Sequence, residues 1–235
     1  MADAAPVATE AADPLAAEFP TLHPAERRRF LAARDGDTTA AAKMLHAHLA
    51  WRSSLLPLPP DAPRIGAGLP VYAWTCPGTA LDGTVVLCCQ PSLIDPDIAS
   101  EDAYIAALSE VLDATFDRAS EDKCTVLLDT RKREGAPNVP GIKMMGIGKK
   151  IARVLSDEFP ERMARLVVYP VPSALSFIWG LMKPFLAPKT AAKIVLLNGA
   201  DGQAAPCPKA LADFVSLETF GEDDQKRHAA LAVGS

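Results

Sequence analysis

Few side chains in this sequence are placed to do chemistry, and most of them fail when their spacing is tested. Gly146-Ile147-Gly148-Lys149-Lys150 resembles part of a phosphate loop. It lacks the four-residue spacer after an earlier glycine, and it carries Lys where Ser or Thr would hold magnesium. His46 and His48 are two apart, hence on different helix faces, and make no metal pair; one reads as solvated and the other as packed. There is no Gly-x-Ser-x-Gly elbow, and no pair of carboxylates stands out for acid/base work. The five cysteines are odd in number and contain no Cys-x-x-Cys, and neighbours Cys88 and Cys89 would point to opposite faces of a strand. That pattern favours reduced thiols in a reducing compartment. The expectation is a chain that is not an enzyme and needs no metal or cofactor, which leaves binding.

One candidate for binding is the basic loop Arg131-Lys132-Arg133, which follows the run Cys124–Leu128 and Asp129. Open α/β sheets take ligands at such strand ends, although a charge run is also the ordinary make-up of a solvated turn. The other candidate is apolar. Residues 174–186 carry only Ser176 and Lys183 as clearly polar residues, so a helix there is apolar nearly all the way round. Thirteen residues reach only ~20 Å, too short for the ~20-residue bilayer span. One face can pack on a sheet, and the other needs a bound lipid, a membrane surface or more protein.

The elements that position these groups follow from periodicity. Val71–Trp74 and Thr84–Cys89 read as strands joined by a Pro-Gly and Asp-Gly turn region, suited to an antiparallel edge pair. Ile98–Arg118 reads as a helix, with Ile105, Leu108, Val111, Leu112 and Phe116 at three- and four-residue steps. The strand Cys124–Leu128, the helix Ile142–Glu158 and the strands Leu166–Val171 and Ile194–Leu197 complete a mixed, mostly parallel five-stranded α/β sheet with right-handed crossovers. Ahead of it, a small helical lobe contains Ala25–Arg34 and Thr39–Ser53, the second capped by Asp37 or Thr38. The expected division is a disordered tail at 1–20, the lobe at 21–56, a Pro-rich linker at 57–70, the sheet domain at 71–217 and a polar tail at 218–235.

The order of residues from 160 to 199 resembles the core of the CRAL-TRIO lipid-binding domain, the fold of phosphatidylinositol/phosphatidylcholine transfer proteins and of tocopherol and retinaldehyde carriers. Pro160, Glu161, Arg162, Lys183, Pro184, Phe185, Leu186, Pro188, Lys189, Thr190, Lys193 and Ile194 carry it. Arg29-Phe30-Leu31 with Arg34, and Trp51-Arg52, add a shorter likeness to the family's N-terminal lobe. The resemblance implies a hydrophobic gate helix over a lipid cavity, with Phe177, Ile178, Trp179, Leu181, Met182 and Phe185 toward acyl chains and membrane. It also implies a headgroup site of Glu161, Arg162 and Lys193, with Arg34, Arg131 and Arg133 as further members. The charge types suit this. Lys193 can meet a phosphate oxygen, and Glu161 can accept from sugar hydroxyls and pair with Lys193. A structural ion pair at the sheet's end is the competing reading. Where phosphatidylcholine-binding relatives place Ser and Thr after an Asp-x-x-Gly, this chain reads Asp129-Thr130-Arg131-Lys132-Arg133-Glu134-Gly135.

Composition excludes other classes. A net charge of -5 argues against a general affinity for nucleic acid, and 49% apolar content suits a globular fold. The start of the chain has no basic n-region with an h-region and no Arg-rich bias, so the expected location is cytoplasmic, with transient membrane association. The expected function is binding and intermembrane transfer of phosphatidylinositol or a related phospholipid. The alternatives are a carrier of a neutral isoprenoid such as tocopherol or retinoid, and a lipid-sensing interaction module.

Overall fold

The computed structural model describes residues 13–171, 180, 184, 188–200, 202 and 205–234. The expected gate positions Phe177, Ile178, Trp179, Leu181, Met182 and Phe185 lie outside the described residues.

The N-terminal lobe is a helical hairpin. Helix α1, Pro24–Ala32, starts on Pro24, and α2, Thr38–Leu55, is capped by the Asp37 carboxylate accepting from the Ala40 amide at 2.9 Å. Asp35 and Gly36 take positive φ to make the reversal between them. The segment before α1 is not a tail throughout. Leu15 and Phe19 are four apart and bury with Leu22, Phe30, Met44 and Leu45. The Arg27 guanidinium ties that segment down, donating to the Asp13 carboxylate at 2.6 Å and to the Phe19 and Leu22 carbonyls. Two large apolar side chains and one multiply bonded Arg outweigh the Ala/Pro composition that suggested disorder up to residue 20.

A two-residue pair, β1 (Arg64–Ile65) and β2 (Gly68–Leu69), leads into the main sheet. Its strands are β3 (Ala73–Thr79), β4 (Val85–Cys89), β5 (Cys124–Asp129), β6 (Met163–Val171) and β7 (Ile194–Asn198), in the order β3-β4-β5-β6-β7. The edge pair β3/β4 is antiparallel and the remaining pairs are parallel, as the spacing predicts. Helix α3, Glu101–Thr115, crosses from β4 to β5, and α4, Met145–Asp157, crosses from β5 to β6. Each crossover helix is shorter than expected, by three residues at both ends of α3 and by three at the start and one at the end of α4. At α3 the Ser100 hydroxyl caps the N-terminus, which excludes Ile98 and Ala99 from the helix.

Because strand side chains alternate, each face of the sheet carries its own core. One face packs Leu87, Cys124 and Val126 against Leu108 and Leu112 of α3 and Ile147 of α4. The other packs Val86, Cys88, Leu127, Val167 and Tyr169 against Leu211, Val215, Phe220 and Leu231 from the C-terminal segment. Cys88 and Cys89 accordingly face opposite ways. Within the C-terminal segment, Lys209–Asp213 forms a 3-10 turn. The segment from 218 onward is not a free tail: Phe220, His228 and Leu231 are buried on the sheet.

Candidate functional site

Parallel strands bring their starting residues together. Lys123 precedes β5, Glu161 lies two residues before β6, and Lys193 precedes β7, so adjacent strands set these three side chains in a row. The Glu161 carboxylate lies 3.4 Å from Lys193 Nζ and 3.9 Å from Lys123 Nζ. Each of the three is partly exposed, so the row is open to solvent and to a ligand. Glu161 takes φ of 59° in the turn Phe159–Arg162, a left-handed conformation that costs an ordinary residue about 1–2 kcal/mol. The lobe reaches the same end of the sheet, where Asp35 pairs with Lys189, two residues before the short helix Pro188–Ala191 ends. Arg34, adjacent to Asp35, is half-buried and donates to the Ala33 carbonyl at 3.0 Å. Lys123 was not singled out by sequence. The signal for it was its register, one residue before a strand, as Lys193 is.

The remaining expected site residues go elsewhere. Arg162 is only 3% exposed and donates to the carbonyls of Asp117 and Asp122, with Phe116 against its guanidinium at 4.9 Å. It fastens the loop before β5 and does not face the row. Arg131 and Arg133 follow the opposite ends of the strands, beyond the six steps from Lys123 to Asp129 that span about 20 Å at ~3.3 Å per residue. Arg131 is 3% exposed and forms a bidentate pair with Asp129, at 2.8 Å on each arm. It also donates to the Arg227 carbonyl at 2.6 Å. Burial alone would raise the Asp129 carboxyl, but Arg131 and Arg227 hold it below the ordinary range. Arg133 donates to the Gln90 side chain at 2.7 Å. Lys132 is exposed, as in a solvated turn, but Arg131 is buried, and the loop is not part of the Glu161 row. Arg131 is a fastener for the C-terminal segment, and the six expected headgroup residues divide between two ends of the sheet.

The apolar half of the site lies on the α3/α4 face. Register places Cys89, Leu128, Val168 and Leu196 in one line across β4, β5, β6 and β7. All four are half-buried, whereas Leu87 and Val126 in the row below are buried. Leu166 and Ile194 extend this lower row toward Glu161 and Lys193, and are half-buried too. The apolar stripe of α4, Ile151, Val154 and Leu155, is half-buried beside them. The arrangement is an apolar floor with the Lys123–Glu161–Lys193 row at one end, a layout suited to an amphiphile. Among the described residues no group of three or more His, Cys, Asp or Glu could hold a metal ion, and no helix is long and apolar enough to cross a membrane.

A second polar cluster joins the lobe to the sheet domain. His48, 4% exposed, bonds Glu158 at 2.9 Å through Nδ1, and its Nε2 lies 3.7 Å from Glu26. Burial opposes the imidazolium, yet Glu158 and Glu26 outweigh it and raise its pKa. Arg118 pairs with Glu26 at 2.9 Å, and Arg52 makes a bidentate pair with Asp113. Burial and the neighbouring Arg162 push Arg29 down to about 10. The void these groups enclose, about 20 Å³, has room for one water. This is a joint between the two parts of the protein, and it leads through Phe159 and Pro160 directly to Glu161.

Comparison with known proteins bears on the fold and the family. The crystal structure of Sfh5 aligns with a TM-score of 0.65 over 89% of this chain and 74% of that chain, at 15% sequence identity, which is a likeness of fold. The CRAL/TRIO domain model matches residues 72–219, more than half of the sequence and the whole of the main sheet. The chain belongs to the CRAL/TRIO domain family, whose members bind hydrophobic small molecules such as lipids.

Proposed function

We propose that this protein binds a single phospholipid of the phosphatidylinositol type and exchanges it at membrane surfaces. The reading rests on one observation: the Glu161–Lys193 pair at 3.4 Å closes one end of an apolar floor that runs across β4–β7. Acyl chains lie on the floor, and the phosphorylated headgroup meets Lys193 while Glu161 accepts from its hydroxyls. Some 30 buried methylenes at about 0.8 kcal/mol each give a gross burial of roughly 25 kcal/mol, so release into water is negligible. Transfer then requires docking on a bilayer, and the apolar sequence 174–186 supplies side chains suited to that interface.

Native mass spectrometry of the purified chain, loaded from vesicles of phosphatidylinositol or from a neutral isoprenoid, tests the proposal. Lys193→Ala removes a charge-assisted hydrogen bond and weakens phosphatidylinositol loading by about 1.5–3 kcal/mol, roughly ten- to a hundredfold. Isoprenoid loading stays unchanged. A stable variant that loads phosphatidylinositol like the parent refutes the headgroup assignment and favours a neutral cargo.

A further inference from the structure

We propose that Cys76 and Cys88 form a redox modification site, closing to a cross-strand disulfide when a peroxide-class oxidant reaches them. Their Sγ atoms lie 2.9 Å apart between two strands, although all five cysteines are free. The geometry follows from the edge pair. Trp74 on β3 pairs with Cys88 on β4, and the register is interrupted between Thr75 and Thr79. Cys76, two residues after Trp74, returns to the same face and is set against Cys88 by that irregularity. A bond needs the sulfurs to approach to ~2.05 Å, a movement of less than one ångström.

The selectivity is equally structural. Cys89 and Cys124 belong to the opposite face of the sheet. Cys207 shares the face of Cys76, but its thiol is directed at the Pro208 carbonyl, 3.7 Å away. Cys76 and Cys88 are 5% and 3% exposed among Val86, Leu127, Leu211 and Phe220, which leaves no room for a bulky mixed disulfide. Contact with Cys76 and burial both push the Cys88 thiol up, so reaction waits on local opening of the edge strand β3.

The chemistry balances with hydrogen peroxide as the named oxidant. One sulfur attacks a peroxide oxygen, which breaks the O–O bond, releases one water and leaves a sulfenic acid. The second sulfur displaces the sulfenic hydroxyl as a second water, and the S–S bond forms. The two thiols together give up two protons and two electrons, and the peroxide is reduced to two waters.

The test uses the full chain without lipid, so its result is separate from the lipid assignment. The protein is treated with hydrogen peroxide, unfolded, alkylated with iodoacetamide and mapped by mass spectrometry. The expected product has Cys89, Cys124 and Cys207 alkylated and a peptide linking Cys76 to Cys88. It also melts higher, by about 5 °C or more, since the bond closes a loop between residues 12 apart. Cys88→Ser shows neither the link nor the higher melting temperature, while Cys89→Ser retains both. Alkylation of all five thiols after treatment, or a link between any other pair, overturns the proposal; the parent protein alone decides this if a variant fails to fold.

Discussion

Acidification should loosen the C-terminal segment through a single imidazole, His228. It is 1% exposed, stacked on Phe220 at 3.8 Å between ring centroids, and surrounded by Arg131, Tyr169, Asp129, Arg227 and Asp224. Nδ1 donates to the Asp224 carbonyl at 2.8 Å, which leaves Nε2 as an acceptor facing the Tyr169 hydroxyl at 2.9 Å and the Arg131 guanidinium at 3.3 Å. A second proton would sit against a cation, and burial adds to the penalty, so the pKa falls from 6.5 to about 4. For a histidine with a depressed folded pKa, the unfolded chain binds the proton first, and stability is lost as pH falls from about 6.5 toward about 4. Integrating the two titrations between pH 6.5 and pH 4.5 gives a loss of about 2 kcal/mol. Urea unfolding of the parent and of His228→Gln at pH 6.5 and 4.5 measures it. Gln has a donor and an acceptor for the same neighbours but does not titrate. The variant is less stable at pH 6.5 and loses about 2 kcal/mol less between the two pH values. An equal loss in both proteins would refute the argument that the buried neutral imidazole is the acid-sensitive group.

The lobe joint has the opposite pH dependence. His48 has a raised folded pKa, so its contribution is fully present below about pH 6.5 and is lost as pH rises through the folded value. His48→Ala should cost about 2–4 kcal/mol at pH 6 and abolish that alkaline slope, which thermal melts at pH 6 and 9 would read; a retained slope would assign it to another group. On the apolar floor, Leu196→Trp fills space in the half-buried row without introducing charge. Lipid uptake should fall severalfold while the melting temperature changes little, and unchanged uptake would move the acyl chains off this face.

The sequence alone determined the sheet and its connections, because parallel strands buried on both faces require uninterrupted apolar runs and crossover helices require a stripe. Leu166–Val171, Ile194–Leu197 and the α3 positions Leu108 and Leu112 carry that pattern in a local window. The Glu161–Lys193 pair was legible through the family resemblance and its opposite charges; the structure adds why the two meet, since each precedes a strand and neighbouring parallel strands bring their starts together. Charge in the basic loop was not legible in this way. Whether Arg131 faces solvent, a headgroup or Asp129 depends on where residues about a hundred positions later return, and the carbonyl of Arg227 and the ring of His228 decide it. The same holds at the two ends of the chain. Composition reads 1–20 and 218–235 as polar or Ala-rich, but Leu15, Phe19, Phe220 and Leu231 each find a complementary apolar surface. A few large side chains can hold such a segment when the tertiary structure presents that surface, and no local window of sequence contains the partner.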